Sequence, residues 1–199
     1  MGGLFEMGRI SGRVGTIARW KPVHLGHASV LEAMCEQASE VIIGLGSSNV
    51  YDIRNPFSAK ESREMIDLVL KKRFSNYSFV EVPDFNDGQK WCEYVTHLFG
   101  KLDYFVTANE YVRDLLKGDY KIVHPLEIIP VEKRVPIDGT RVRIAMARGY
   151  GWSKLVPQEV FDYMNSNGLE ERFCNEFGLA TLVQQAHSLI SHIIADGAT

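Results

Sequence analysis

Short apolar runs alternate with helix-patterned segments along most of this 199-residue chain, and few folds accommodate that rhythm. Val14-Gly15-Thr16-Ile17-Ala18, Glu40 to Leu45, Tyr77 to Val82, Tyr104 to Thr107 and Lys121 to His124 read as strands. Between them, Ala28 to Gln37, Ser58 to about Lys72, Trp91 to Phe99 and a short segment capped by Asn109 read as helices. Ser58 followed by Glu61 forms a capping box, and Met65, Leu68 and Val69 mark the inner stripe of that helix. Strand–helix alternation at this spacing predicts an α/β fold, a parallel sheet with helices on both faces, because right-handed crossovers place them there. Ligands in such sheets bind beyond the carboxyl ends of the strands. Three loops fall at those ends: Arg19 to His27, Gly46 to Pro56, and the turn at Asn109.

Downstream, Asp138-Gly139 opens a helix over Thr140 to Ala147, and Pro157 to Met164 is another. Leu182, Ala186, Leu189 and Ile193 recur at helical spacing, so the tail from Leu179 is an amphipathic helix. Covering the core is its expected role; contact with a second copy is the other reading, which keeps a homo-oligomer among the partners. We delimit an α/β domain at 13–165 and a C-terminal helical extension of the same domain at 166–199.

Composition narrows the function. Hydrophobic content of 45% and charged content of 24% are those of an ordinary globular protein. A formal net charge of -3 gives no overall pull towards nucleic acid or a membrane, so anion binding must be local. Cys35, Cys92 and Cys174 lie in no C-x-x-C spacing, which argues against a zinc site or disulfide framework and fits a reducing cytoplasm. Met1 to Gly12 lacks the apolar core of a signal peptide, and no run reaches membrane-spanning length. The expected setting is cytoplasmic.

The first of the strand-end loops carries the chemistry. Arg19-Trp20-Lys21-Pro22-Val23-His24-Leu25-Gly26-His27 sits where a strand ends and a helix begins. A helix N-terminus presents unpaired N–H groups and a positive dipole end, which favours phosphate. Gly26 lets the backbone come close to a ligand, and the histidines supply donors for charge developing on phosphorus. Thr140-Arg141-Val142-Arg143 adds a hydroxyl and a guanidinium on the first turn of a second helix, an arrangement suited to polyphosphate. His97, His124, His187 and His192 fit no motif and read as surface or structural residues.

Taken in order, the segments resemble the H-x-G-H nucleotidyltransferase superfamily, and within it the archaeal-type nicotinamide-mononucleotide adenylyltransferases, over roughly Val14 to Met164. That family opens with G-R-x-x-P-F-H-x-G-H, followed by I-G-S, I-R-[DN]-P-F-T, a central tryptophan, G-N and S-G-T-x-V-R. This chain has Ala18-Arg19-Trp20-Lys21-Pro22-Val23-His24-Leu25-Gly26-His27, Leu45-Gly46-Ser47 and Ile53-Arg54-Asn55-Pro56-Phe57-Ser58. Trp91, Ala108-Asn109 and Asp138-Gly139-Thr140-Arg141-Val142-Arg143 follow at the right intervals. Val23 stands for an aromatic, Asp138 for a serine, and the E-R pair becomes Glu61-Ser62-Arg63. Asp138 is expected to cap its helix rather than touch phosphate. The tail beyond about Phe177 has no counterpart in the family pattern.

The resemblance implies a Rossmann-like nucleotidyltransferase fold and transfer of adenylyl from ATP to nicotinamide mononucleotide, giving NAD and pyrophosphate. It implies that His24, His27 and Arg54 act catalytically. Arg19, Gly26, Gly46, Ser47, Asn109, Thr140 and Arg143 would hold ATP, with Mg²⁺ carried on its oxygens rather than in a protein cage. Trp91 would stack on the pyridine ring, with Asp84 and Asp87 nearby to disfavour a nicotinate carboxylate. Alternatives are another H-x-G-H enzyme, cytidylyl- or adenylyl-transferring, acting on a different phosphate ester, and a non-catalytic nucleotide-binding regulator. The cytidylyltransferase R-T-x-G-I-S-T-T pattern is absent, and intact His24 and His27 weigh against a regulator. A class I tRNA synthetase fragment would need a K-M-S-K-S loop, which the chain lacks.

Overall fold

A computed structural model of the chain describes residues 10–196. Strands β1 (Arg13–Ala18), β2 (Glu40–Gly46), β3 (Tyr77–Val82), β4 (Tyr104–Val106) and β5 (Ile122–Val123) form one parallel sheet in the order β3-β2-β1-β4-β5. The chain builds outwards from β1 to β3, then returns to add β4 and β5 on the other side. The switch point therefore lies between the carboxyl ends of β1 and β4, where such sheets open a crevice. The expected strands are all present. Lys121 and His124 fall outside β5, and His124 instead caps a helical turn, its Nδ1 accepting from the Leu126 N–H at 3.2 Å.

The helices are α1 (Leu25–Gln37), α2 (Ala59–Leu70), α3 (Gly88–Phe99), α4 (Glu110–Leu116), α5 (Pro125–Ile128), α6 (Gly139–Ala147), α7 (Gln158–Ser166), α8 (Leu169–Phe173) and α9 (Leu179–Asp196). Sequence patterning had no signal for α5 or α8. Alternation along the strands divides the core. Val14, Val41, Ile43 and Val106 join one cluster with Leu31, Met34, Met65 and Val142, while Ile42 and Phe105 join Val95, Phe99 and Leu116 on the other face. α2 turns Ser62, Met65, Ile66 and Val69 inwards, leaving Leu68 on its flank rather than in the expected stripe.

The tail divides differently from expectation. Leu169 and Phe173 of α8 are buried in the main core, so α8 supplies the cover. α9 lies against α6 but leaves Leu179, Val183, Leu189 and Ile190 exposed. His192 and Ile193 fall where side chains are not described, and residues 1–9, read above for a leader, lie outside the described residues. Among the described residues no helix is long and apolar enough to cross a membrane.

Two strand glycines let α3 press onto the sheet. A Cβ on Gly15 would meet Leu102 Cδ1 at 2.6 Å and Phe99 Cδ1 at 2.9 Å; one on Gly44 would meet Ile17 Cγ1 at 2.5 Å and Phe99 Cζ at 3.0 Å. Overpacking of this kind costs about 1–3 kcal/mol. Gly15→Ala and Gly44→Ala should each destabilise by about that amount in urea unfolding, and wild-type midpoints in both would refute the packing account.

Candidate active site

The site begins with how β1 hands over to α1. Trp20 adopts a left-handed backbone (φ 55), which turns the chain sharply after the strand. Its indole is buried, with Nε1 donating to the Gly44 carbonyl at 2.8 Å, and that anchoring holds the strained residue in place. His24 is the N-cap of α1: its Nδ1 accepts from the His27 N–H at 3.2 Å. A ring nitrogen that accepts carries no proton, so neutral His24 keeps its hydrogen on Nε2. The two imidazoles stack, centroids 3.6 Å apart and planes 19° apart, and Trp20 lies 4.7 Å from the His27 ring. Burial pushes the His24 pKa down to about 4. Burial, with His24 adding to it, holds His27 well below its ordinary value. Both rings are thus neutral near neutral pH. Gly26 fits between this pair and the next segment: a Cβ there would meet the Val135 and Ile137 carbonyls at 3.1 Å and His24 Nδ1 at 3.2 Å, so it lets α1 come close to the segment leading into α6.

α6 points its N-terminus at the same place. Asp138 caps it, Oδ1 accepting from the Arg141 N–H at 2.8 Å, as its position in the sequence suggested. Arg143 donates to the Lys21 carbonyl at 3.0 Å and to Thr140 Oγ1 at 3.3 Å. Burial, helped by the charge of Arg19, lowers its pKa to about 10.

A cavity of about 990 Å³ opens at the β1–β4 switch point. Arg19, His27, Gly46, Ser47, Asp84, Asp87, Trp91, Asn109, Thr140 and Arg143 all line it. His24 lies behind His27 rather than on the wall, Gly26 is off it, and Arg54 is exposed on the neighbouring loop. Trp91 is half-buried on α3. Asp87 and Asn109 spend side-chain oxygens capping α3 and α4, so they fix where those helices start. Asn49 ties the loop after β2 to Asp84, exchanging two hydrogen bonds with its backbone at 2.8 and 3.0 Å. Phe85 and Tyr111 add aromatic wall that sequence reading did not single out. Among the described residues no three His, Cys, Asp or Glu side chains are grouped to hold a metal.

The sequence matches the cytidylyltransferase-like family over residues 17–145. The nicotinamide-nucleotide adenylyltransferase of Thermococcus sibiricus is 33% identical over 153 residues, 74% of this chain and 80% of that protein. The enzyme of that name from Pyrococcus abyssi is 33% identical over 166 residues, 80% of this chain and 86% of its own. The chain belongs to the cytidylyltransferase-like family. Its fold also superposes on a bifunctional NMN adenylyltransferase/ADP ribose pyrophosphatase from Francisella tularensis, crystallised with AMP and a manganese ion. That match has a TM-score of 0.66 and 17% identity, covers 89% of this chain, and spans 56% of that two-function protein.

One residue of this cytidylyltransferase-like site was not legible beforehand. Lys21 is buried, its Nζ donating to the Ser47 carbonyl at 2.8 Å and to Asn55 Oδ1 at 3.4 Å. A lysine in a turn reads as a solvated charge; only the adjoining Trp20 and Pro22 hinted otherwise. Burial lowers its pKa to about 8, against partial support from Asp84 and Asp52. The folded chain therefore releases this proton near pH 8, while the unfolded chain holds it to about 10.5. Between those values the unfolded state binds more protons, so stability rises with pH. In urea unfolding, wild type should gain stability relative to Lys21→Met across that window. Parallel pH curves for the two proteins would contradict the burial.

Proposed function

We propose that this chain transfers the adenylyl group of ATP to nicotinamide mononucleotide, forming NAD and releasing pyrophosphate. The observation that carries this reading is a single cavity lined by two unlike sets of residues. One set is the N-terminus of α6 with Arg19, His27, Thr140 and Arg143, a phosphate-seeking surface. The other is Trp91, Phe85, Tyr111 and Asp84, a surface for a flat ring. Relatives one-third identical over three-quarters of the chain carry the same activity in their names.

The acceptor phosphate has a second pKa near 6, so it is mostly dianionic at neutral pH and needs no general base. One of its oxygens bonds to the α-phosphorus of ATP as the bond from that phosphorus to the α–β bridging oxygen breaks. The leaving group is pyrophosphate, and no proton has to move at the α-phosphorus. What remains is bringing two polyanions together and stabilising charge in flight. His27, on the cavity wall, donates to the α-phosphoryl oxygens, with His24 stacked behind it and capping the same turn. Being neutral, the pair does not need to release protons as charge moves. Arg143, Arg19 and Arg54 offset the triphosphate, and Thr140 and Ser47 supply hydrogen bonds. Mg²⁺ arrives with ATP as part of the substrate. Trp91 stacks on the pyridine ring, and a cationic pyridinium gains a further ~0.5–2 kcal/mol from the indole face. The Asp84 carboxylate on the wall favours nicotinamide over negatively charged nicotinate. The lone cysteines fit a reducing, cytoplasmic setting.

Pyrophosphate release from a panel of phosphomonoesters offered ATP or CTP tests the reaction. ATP with nicotinamide mononucleotide should be the productive pair, with NAD as the second product; turnover of a different pair in its place would overturn the reading. Within that assay His27→Ala should lose roughly 10²-fold in kcat, the scale for one transition-state donor. Arg143→Ala should raise the KM for ATP and Trp91→Ala that for the mononucleotide. Equal effects of each on both substrates would undo this division of roles.

A further inference from the structure

The turn that carries Arg54 is closed on itself. Asp52 Oδ1 accepts from the backbone N–H groups of Arg54 and Asn55 at 2.8 Å each, and from the Asn55 side-chain amide at 3.0 Å. Lys21 reaches this turn through Asn55 Oδ1 only at 3.4 Å, so what grips its two ends bears strongly on where Arg54 stands. Both ends are held by the C-terminal segment, across sequence separations of 111 to 125 residues. At the exit, Arg172 of α8 donates to the Pro56 carbonyl at 3.1 Å and forks onto Glu61 at 2.7 and 2.9 Å. Its guanidinium lies 5.9 Å from the centroid of the Phe57 ring, which in turn packs against Phe173. At the entrance, the Tyr51 hydroxyl donates to the Glu176 carboxylate, and the Tyr51 ring meets Phe177 edge-on at 5.4 Å.

We propose that this C-terminal segment is a working part of the transfer site, with Arg172 and Glu176 as positioning residues that hold the Arg54 turn by its two ends. The inference rests on the reading in which Arg54 meets the triphosphate. Glu61 serves twice: its Oε2 also accepts from the Ser58 N–H at 2.8 Å, so one carboxylate fixes the turn's exit, the start of α2 and α8 together. Burial alone would raise its pKa; the Arg172 fork and the Ser58 N–H outweigh that and keep it ionised. Fastening α2 to α8 would need only the Arg172–Glu61 pair. Tyr51 lies outside every helix, so its tie to Glu176 fastens the loop that leads into the Arg54 turn rather than one helix to another. Arg54 already acts on the site, since its charge helps depress the pKa of Arg143 after burial and Arg19.

The test joins amide exchange with a kinetic cycle. In Arg172→Gln the Asn55 amide should exchange about tenfold faster than in wild type, and Glu176→Gln, the milder change, should loosen the same turn while circular dichroism stays native. Arg172→Gln should lower kcat/KM for ATP by between about tenfold and 10²-fold, the scale for a displaced charged group. Arg172→Lys should recover only part of this, because a point charge cannot reproduce the fork. In an Arg54→Ala background Arg172→Gln should cost nothing more. Unchanged exchange in both Arg172→Gln and Glu176→Gln, or additive losses with Arg54→Ala, would overturn the inference. Faster exchange in a chain that makes no NAD from the mononucleotide would leave the grip standing and overturn the proposed reaction instead.

Discussion

The site depends on one hydrogen bond: His24 Nδ1 accepting from the His27 backbone N–H at the start of α1. Serine, threonine, aspartate and asparagine are the usual caps at such a position. A histidine there does two things at once. It satisfies an orphan donor of the helix, and in doing so fixes its own tautomer, leaving Nε2 to carry the hydrogen. Stacking then lays His27 on it at 3.6 Å, and burial removes the option of charge from both. Trp20 makes this geometry affordable to the backbone by anchoring a left-handed turn to the Gly44 carbonyl.

Around this neutral pair the protein collects cations that lack full partners. Arg143 is spent on a backbone carbonyl and a hydroxyl, and Lys21 on a carbonyl and an amide oxygen. Burial depresses the pKa of each, and the Arg19 charge pushes in the same direction. A polyphosphate entering the cavity would reverse that imbalance, so binding energy and electrostatic relief come from the same contacts. The carboxylates in reach offset this only in part: Asp138 and Asp52 act on Arg143, and Asp84 and Asp52 on Lys21, but burial outweighs them.

Much of this was legible in the sequence, and the exceptions share a cause. Strands showed as short apolar runs because both faces of a parallel sheet are buried. α2, α4 and α6 showed their starts because Ser58, Asn109 and Asp138 are common caps. α1 begins at Leu25 rather than Ala28 because its cap is a histidine, which carries little local signal, and α3 begins at Gly88 because Asp87 read as part of a polar loop. The motif residues gather round the cavity, save that Arg54 stands beside it, His24 behind His27, and Gly26 off its wall. Lys21, and the links from Arg172 and Glu176 to the Arg54 turn, were invisible because their meaning lies in partners far away in sequence. Local pattern encodes caps and periodicity; it does not encode which exposed-looking charge will be folded under a loop.

The claim on which the account turns is that His24 and His27 work as neutral donors, and ¹⁵N NMR of labelled imidazoles observes it directly. Ring nitrogen shifts separate the two neutral tautomers from the imidazolium. As pH is lowered from about 8 to about 5, through the ordinary histidine pKa of about 6.5, the His24 signals should keep the Nε2–H pattern and His27 should remain unprotonated. Protonation of both rings with midpoints near 6.5 would contradict the account, for the cavity would then meet ATP with two added charges rather than two fixed dipoles.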